Sequence, residues 1–351
     1  MSDFVDANND KKFYEIKFGH GMQIPVIGIT MGDPAGVGPE IIAKFFRGRV
    51  DHQSQYMIFG SPDIIELSFK EQHLNIPLHV IERMESIKPM PISEGILIYK
   101  TADINGRFPV GRVCSKCGYA AYDAVIKAIC AANSGFLKAI VTAPVNKEAM
   151  RKASVAYIGH TEILAQFTKT PEVFMLMVND VLRVILCTVH VSLRKAIDLL
   201  NEKLVYNTIK AAEISCSQLG VARPRIAVAG LNPHAGENGL MGNEESLIIK
   251  PAVERAMREG INVSGPWPPD TVFLMAREGS FDIVVSQYHD QGLIPFKYLG
   301  LEDGVNITVG LPFVRTSPDH GTAFNIAGKG LANPSSFINS VSYAAKLSKM
   351  T

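Results

Sequence analysis

Seven short apolar runs, most of them rich in Val and Ile, constrain this chain more than any other feature: IPVIGIT from Ile24, YMIF from Tyr56, AIVTA from Ala139, VFMLMV from Val173, VLRVILCTV from Val181, RIAVAGL from Arg225 and DIVVSQ from Asp282. A strand with one wet face alternates apolar and polar residues. Several of these runs do not alternate, which is the habit of strands buried on both faces of a helix-covered parallel sheet. The stretches between them have helical spacing. Pro39 suits the first turn of a helix running to Arg47 with Gly48 as its stop, and Ser61 is placed to cap Ile64–Gln72. Ala120–Ala132, Ile197–Leu219 closed by Gly220, and Glu244–Glu259 closed by Gly260 complete the set. Asn179-Asp180 between two runs predicts an antiparallel hairpin. The expectation is an α/β fold on a mixed, largely parallel sheet with helices on both faces.

Composition removes whole classes of function. Lys plus Arg numbers 35 against 34 for Asp plus Glu, a net charge of +1, so no field exists for gripping nucleic acid or an anionic membrane. The most apolar stretch, Val173–Val191, is broken by Asn179, Asp180 and Arg183, which predicts no membrane span. Residues 1–22 read as a polar tail without a secretory apolar core, and five cysteines in 351 residues give no disulfide framework. The reading is a cytoplasmic globular protein.

Polar residues collect just past the apolar runs, where open α/β sheets bind ligands. AIVTA leads into PVNKEAM, VILCTV into His190, IAVAGL into the turn containing His234, and IVVSQY into His289-Asp290. Three neutral imidazoles suit a divalent metal with coordination positions left open. Each alone reads more readily as a strand-end histidine bonded to backbone, and it is the three together that favour a metal. Thr30–Pro39 is a Gly-rich strand-to-helix link, either an anion cradle or a tight turn, and it matches neither nucleotide fingerprint. Gly159-His160-Thr161-Glu162 offers a phosphate contact or a helix cap. Lys297, Asn306 and Arg315 follow, Arg being suited to two-pronged binding of carboxylate or phosphate. Cys114 and Cys117 form one CxxC without the second pair that a zinc ribbon needs.

From about Ile24 to Phe337 the chain resembles the 4-hydroxythreonine-4-phosphate dehydrogenase family of pyridoxal phosphate biosynthesis. The resemblance rests on GITMGDPAGVGPEI, VTAPVNKEAM, GHTE, LNPHAGENGLMGNEE, YHDQGLIPFKYLG and VNITVGLPFVRTSPDHGTAF, in that order. It implies a divalent metal (Zn, Co or Mg) on His190, His234 and His289. Substrate contacts fall on His160, Thr161, Lys297, Asn306 and Arg315. The segment from Asp319 also resembles the cofactor loop of isocitrate and isopropylmalate dehydrogenases, which puts NAD or NADP on His320, Gly321, Thr322 and Asn325. Thr322, Phe324 and Asn325 stand where that loop carries Ser, Pro and Asp.

The implied architecture has two lobes with a cleft between them: residues 23–145 plus 312–351 on the cofactor side, and 146–311 carrying metal, substrate and dimer contacts. The implied partners are a phosphorylated hydroxy-amino acid and a second copy of the chain, completing shared active sites. The implied reaction is oxidation at C3 of 4-phosphohydroxy-L-threonine, followed by decarboxylation. Asp290 and Lys147 are the candidates for the base. A D-threonate or D-erythronate 4-phosphate dehydrogenase of the same family is the alternative.

Overall fold

The computed structural model describes residues 25–48, 50, 53–83, 94–104, 108–157, 159–300 and 303–350. The tail expected over 1–22 lies outside them. The described residues divide into two compact units, the first comprising those up to 171 with 311–349, the second those of 172–310 with 350. The first unit reaches past the division expected at 145/146. Its helices α4 (Lys147–Lys152) and α5 (His160–Thr168) pack on α3 (Ser115–Asn133) and so belong with it.

In the first unit six strands run in the order β3 (Leu78–Ile81), β4 (Ile96–Lys100), β2 (Gln55–Gly60), β1 (Val26–Thr30), β5 (Ala139–Thr142) and β12 (Val314–Pro318). Every pair is parallel. Alternate residues feed two cores. Ile27, Ile29, Ile58, Ile96 and Ile98 face one core with α1 (Gly38–Arg47) and with Phe337 of α11 (Ser335–Ser348). Val26, Met57, Phe59, Leu97 and Tyr99 face the other, with α3. Both faces being covered is why the runs do not alternate. Helix α1 begins with Pro39 in its first turn and ends at Gly48, whose N–H donates to the Phe45 carbonyl. Ser61 occupies the N-cap position of α2 (Pro62–Glu71) but makes no capping bond.

The second unit orders its strands β11 (Val305–Val309), β6 (Phe174–Val178), β7 (Arg183–Leu186), β10 (Ile283–Ser286), β8 (Ile226–Ala229) and β9 (Val263–Trp267). The β11–β6 and β6–β7 pairs are antiparallel; β7, β10, β8 and β9 are mutually parallel. The predicted hairpin joins β6 and β7. Asn179 Oδ1 accepts from the N–H groups of Val181 and Leu182 at 3.0 and 2.7 Å, closing the turn locally.

One expected helix is two. Between α6 (Leu193–Leu199) and α7 (Glu202–Gln218), Leu200 is extended and Asn201 caps α7, its Oδ1 accepting from Leu204 N–H at 3.0 Å. An Asn in cap geometry competes with the helical backbone, so the apolar period runs through a break it does not reveal. Residues 245–249 likewise form a π-turn ahead of α8 (Lys250–Arg258), just before Pro251, which has no N–H to continue an α-helical ladder. Helix α9 (Val272–Arg277) precedes β10, and α10 (His289–Tyr298) follows it.

Candidate active site

The sheet order decides where three of the predicted histidines go. Strands β7, β10 and β8 are neighbours and parallel, so their carboxyl ends lie along one edge of the sheet. His190 follows β7, His289 opens α10 after β10, and His234 lies in the turn after β8.

Buried amides tie these ends together. Gln287 donates through Nε2 to the Ala229 carbonyl, and Gln291 to the Gly230 carbonyl, each at 2.7 Å. Gln291 Oε1 accepts from Gln287 N–H at 2.7 Å, and Thr188 Oγ1 donates to the Gln287 carbonyl at 2.8 Å. A buried polar group left unpaired costs about 1–3 kcal/mol, so each of these bonds holds its turn in place. The rings of His190 and His289 stand 5.7 Å apart, beside a cavity of about 190 Å³ lined by Thr188, His190, Leu193, Tyr288, His289 and Asp290.

His289 Nδ1 is 2.7 Å from Asp290 Oδ1. A carboxylate on Nδ1 fixes the tautomer whose Nε2 lone pair can take a metal, so the donor chemistry fits a divalent ion. Among the described residues no three His, Cys, Asp or Glu side chains form a ready-made metal cluster. Lys297 lies in the last turn of α10 and Asn306 on β11.

The turn bearing His234 has an unusual backbone. His234, Ala235, Gly236, Glu237 and Asn238 have φ of 54°, 53°, 80°, 43° and 55°, and Gly239 has 94°. A left-handed conformation costs an L-residue about 1–2 kcal/mol, and four of these six are not glycine. Such strain persists only where surrounding contacts over-determine it.

The first unit gathers a second set. Arg315 on β12 is 3% exposed, and its Nη2 donates to Thr142 Oγ1 at 2.7 Å. Burial pulls its pKa down to about 10. His160 opens α5, its Nε2 inaccessible and without a protein partner. Burial, then the charges of Arg315 and Lys147, hold its imidazole well below the usual range, so it stays neutral. Lys147 sits in the first turn of α4 behind Asn146, whose Oδ1 accepts from Ala149 N–H at 2.8 Å. Gly159 is the N-cap of α5, so Thr161 lies inside the helix and does not cap it. A neutral imidazole that feels two cations suits the receipt of an anion.

The Gly-rich link after β1 is a tight turn. The N–H groups of Asp33, Gly36 and Val37 donate to the carbonyls of Pro144, Asp33 and Thr322. Ala35 N–H donates to Asp33 Oδ1 at 2.9 Å, so four amides that would cradle an anion are already taken. A Cβ on Gly36 would lie 2.8 Å from the Thr322 carbonyl, and this close approach seats the His320-Gly321-Thr322 turn on the loop. His320 Nδ1 lies 3.0 Å from the Gly321 carbonyl, and Asn325 is exposed. Cys114 is the N-cap of α3 and shares a hydrogen bond with the buried Cys117 thiol.

Comparison with known proteins gives this arrangement its context. Residues 52–344 match the family model described as pyridoxal phosphate biosynthetic protein PdxA. A 4-hydroxythreonine-4-phosphate dehydrogenase of Beijerinckia indica is 48% identical over 322 residues, 92% of this chain and 94% of its own. A D-threonate 4-phosphate dehydrogenase of Pectobacterium atrosepticum is 44% identical, over 92% of this chain and 99% of its own. The crystal structure of 4-hydroxythreonine-4-phosphate dehydrogenase from Klebsiella pneumoniae superposes with a TM-score of 0.82 at 42% identity, covering 93% of this chain and 99% of that one. With most of its length matched in sequence and in fold, the chain belongs to the PdxA family of pyridoxal phosphate biosynthetic proteins.

Proposed function

We propose that this chain, a dehydrogenase by family, oxidises 4-phosphohydroxy-L-threonine at C3. The hydride passes to NAD+ or NADP+, and the 2-amino-3-oxo acid so formed loses CO2 to give 3-amino-2-oxopropyl phosphate. The observation that carries the reading is the imidazole trio on adjacent parallel strand ends in a chain 48% identical to a relative of that name.

His190, His234 and His289 would hold the divalent metal, which when bound supplies Lewis acidity that lowers the pKa of a hydroxyl. Arg315, oriented by Thr142, binds phosphate in two-pronged fashion, while neutral His160 donates or accepts without adding charge. Thr161, Lys297 and Asn306 bind and orient the rest of the substrate. Asp290, engaged by His289 through Oδ1, orients that imidazole, and Lys147 takes the hydroxyl proton. His320, Gly321, Thr322 and Asn325 carry the nicotinamide cofactor, their turn held by the contacts of Gly36 and Val37 with Thr322.

The active form is a homodimer in the cytoplasm. Apolar side chains at Leu193, Ile197 and Leu199 of α6 and Ile294 of α10 are more than a third exposed, which supports a second copy covering them. No helix among the described residues is long and apolar enough to cross a membrane.

The test is reduced-cofactor absorbance with 4-phosphohydroxy-L-threonine, NAD+ or NADP+, and Zn, Co or Mg, before and after chelation. Metal-dependent turnover supports the proposal. Turnover of D-threonate or D-erythronate 4-phosphate in its place moves the chain to the second reading, favoured by the 44% identical D-threonate 4-phosphate dehydrogenase. No turnover with either class removes both.

A further inference from the structure

The left-handed turn that carries His234 is entered over a buried carboxylate, that of Glu245. This side chain is 5% exposed, yet it touches neither the cavity beside His190 and His289 nor any proposed substrate contact. Its Oε1 accepts from the N–H groups of Leu231 and Asn232, both at 2.7 Å. Its Oε2 accepts from Asn232 Nδ2 at 2.9 Å, and that amide also donates to Glu244 Oε2 at 2.7 Å.

The carboxylate therefore takes every donor it is offered from the two residues where β8 ends and the turn starts. The backbone is shaped around it. A Cβ on Gly230 would lie 3.2 Å from Oε1, and one on Gly236 would lie 2.6 Å from Oε2. Gly236 also has φ of 80°, so the turn coils left-handed directly over the carboxylate. Charge-assisted bonds of this length are among the stronger ones available to a protein, and they are what four non-glycine residues in the left-handed region require.

We propose that Glu245 is the positioning residue for His234, setting the affinity for the metal ion without contacting it. The inference rests on the reading of His234 as a metal ligand. Gln287 and Gln291 hold only the Ala229 and Gly230 carbonyls ahead of this turn, so loosening the bonds of Glu245 to Leu231 and Asn232 frees the His234 imidazole while the strand ends stay tied. Outer partners of metal-ligating histidines typically govern affinity by 10–100-fold.

The experiment is calorimetric titration of the metal-free full-length protein with Zn2+ and with Co2+, for the parent and for E245A, E245Q, G236A and H234A. Thermal unfolding of each metal-free variant runs alongside. E245A is expected to weaken binding by about 10–100-fold. E245Q falls between, because its Oε1 still accepts from Leu231 and Asn232 while its NH2 meets the Asn232 amide donor. G236A, which drives a methyl against Oε2, weakens binding in a chain that keeps Glu245, and it carries the test should E245A fail to fold.

Parent-like metal affinity in E245Q and G236A, with a lowered unfolding temperature, makes Glu245 a fold-holding residue only and overturns the proposal. Parent-like affinity in H234A overturns the earlier reading of His234 instead.

Discussion

Replacing Asp33 by Asn is expected to stabilise this protein at neutral pH. Asp33 is fully buried in the turn after β1; its Oδ1 accepts from Ala35 N–H, while Oδ2 has no partner. Burial is the larger influence and pushes the carboxyl up to about 6 from 3.8, against the lowering effect of the Ala35 bond. A folded pKa above the unfolded one means that the folded chain binds the proton more tightly. Stability from this group is therefore complete below about pH 4 and is lost as the pH rises through 6. The ionised form then costs about 3 kcal/mol at pH 7 and above, and about 1.5 kcal/mol at pH 5. Asn keeps the acceptor for Ala35 and cannot ionise. Urea unfolding followed by far-UV circular dichroism between pH 5 and 8 should give D33N an advantage that grows with pH and levels off above 7. A variant less stable than the parent at pH 8, or an advantage equal at pH 5 and 8, would refute the argument that burial dominates at Asp33.

Other perturbations follow from single contacts. N201A removes the cap between α6 and α7 and should cost about 1 kcal/mol in thermal unfolding, with N201D nearly neutral. R315M should raise KM for the phosphorylated substrate at least about tenfold, since a 1.4 kcal/mol loss already does so. Binding of the nicotinamide cofactor is expected to be unchanged, and an equal loss for both ligands would give Arg315 a role in holding the fold. His160 is held neutral in the folded chain, whereas an unfolded histidine takes a proton below about 6.5. Its folded pKa is the lower one, so stability is full above that range and falls on acidification. H160N should flatten the loss between pH 7 and 5 in urea unfolding.

All seven apolar runs became strands, because a strand buried on both faces writes its burial directly into composition. Two strands without such runs, β9 and β12, escaped for identifiable reasons. Strand β12 reads Val-Arg-Thr-Ser-Pro, and its polar side chains are buried on partners far along the chain. Arg315 reaches Thr142, and Thr316 Oγ1 donates to the Ser340 carbonyl at 2.8 Å. A pattern of hydrophobicity scores such residues as exposed, since it cannot see a hydrogen bond closed in three dimensions. Strand β9 carries Gly265 and Pro266 within it, which read as loop residues. The break between α6 and α7 hid because Asn201 is a cap only once Leu204 lies above it.

The site divides along the same line. That three histidines follow strand ends was legible, since it needs only the runs and the residues after them. What joins them was not. Their placement along one sheet edge depends on β7, β10 and β8 being sheet neighbours although β8 precedes β10 by more than fifty residues, and nothing local encodes that order. Gln287, Gln291 and Glu245 look like ordinary polar residues until their acceptors and donors at Ala229, Gly230, Leu231 and Asn232 are in place. The Gly-rich turn shows the converse. Its sequence allowed an anion cradle, yet its amides are consumed by Pro144, Asp33 and Thr322, two of them distant in sequence. A motif thus specifies which chemistry is available, and the long-range hydrogen bonds decide which of those groups are left to perform it.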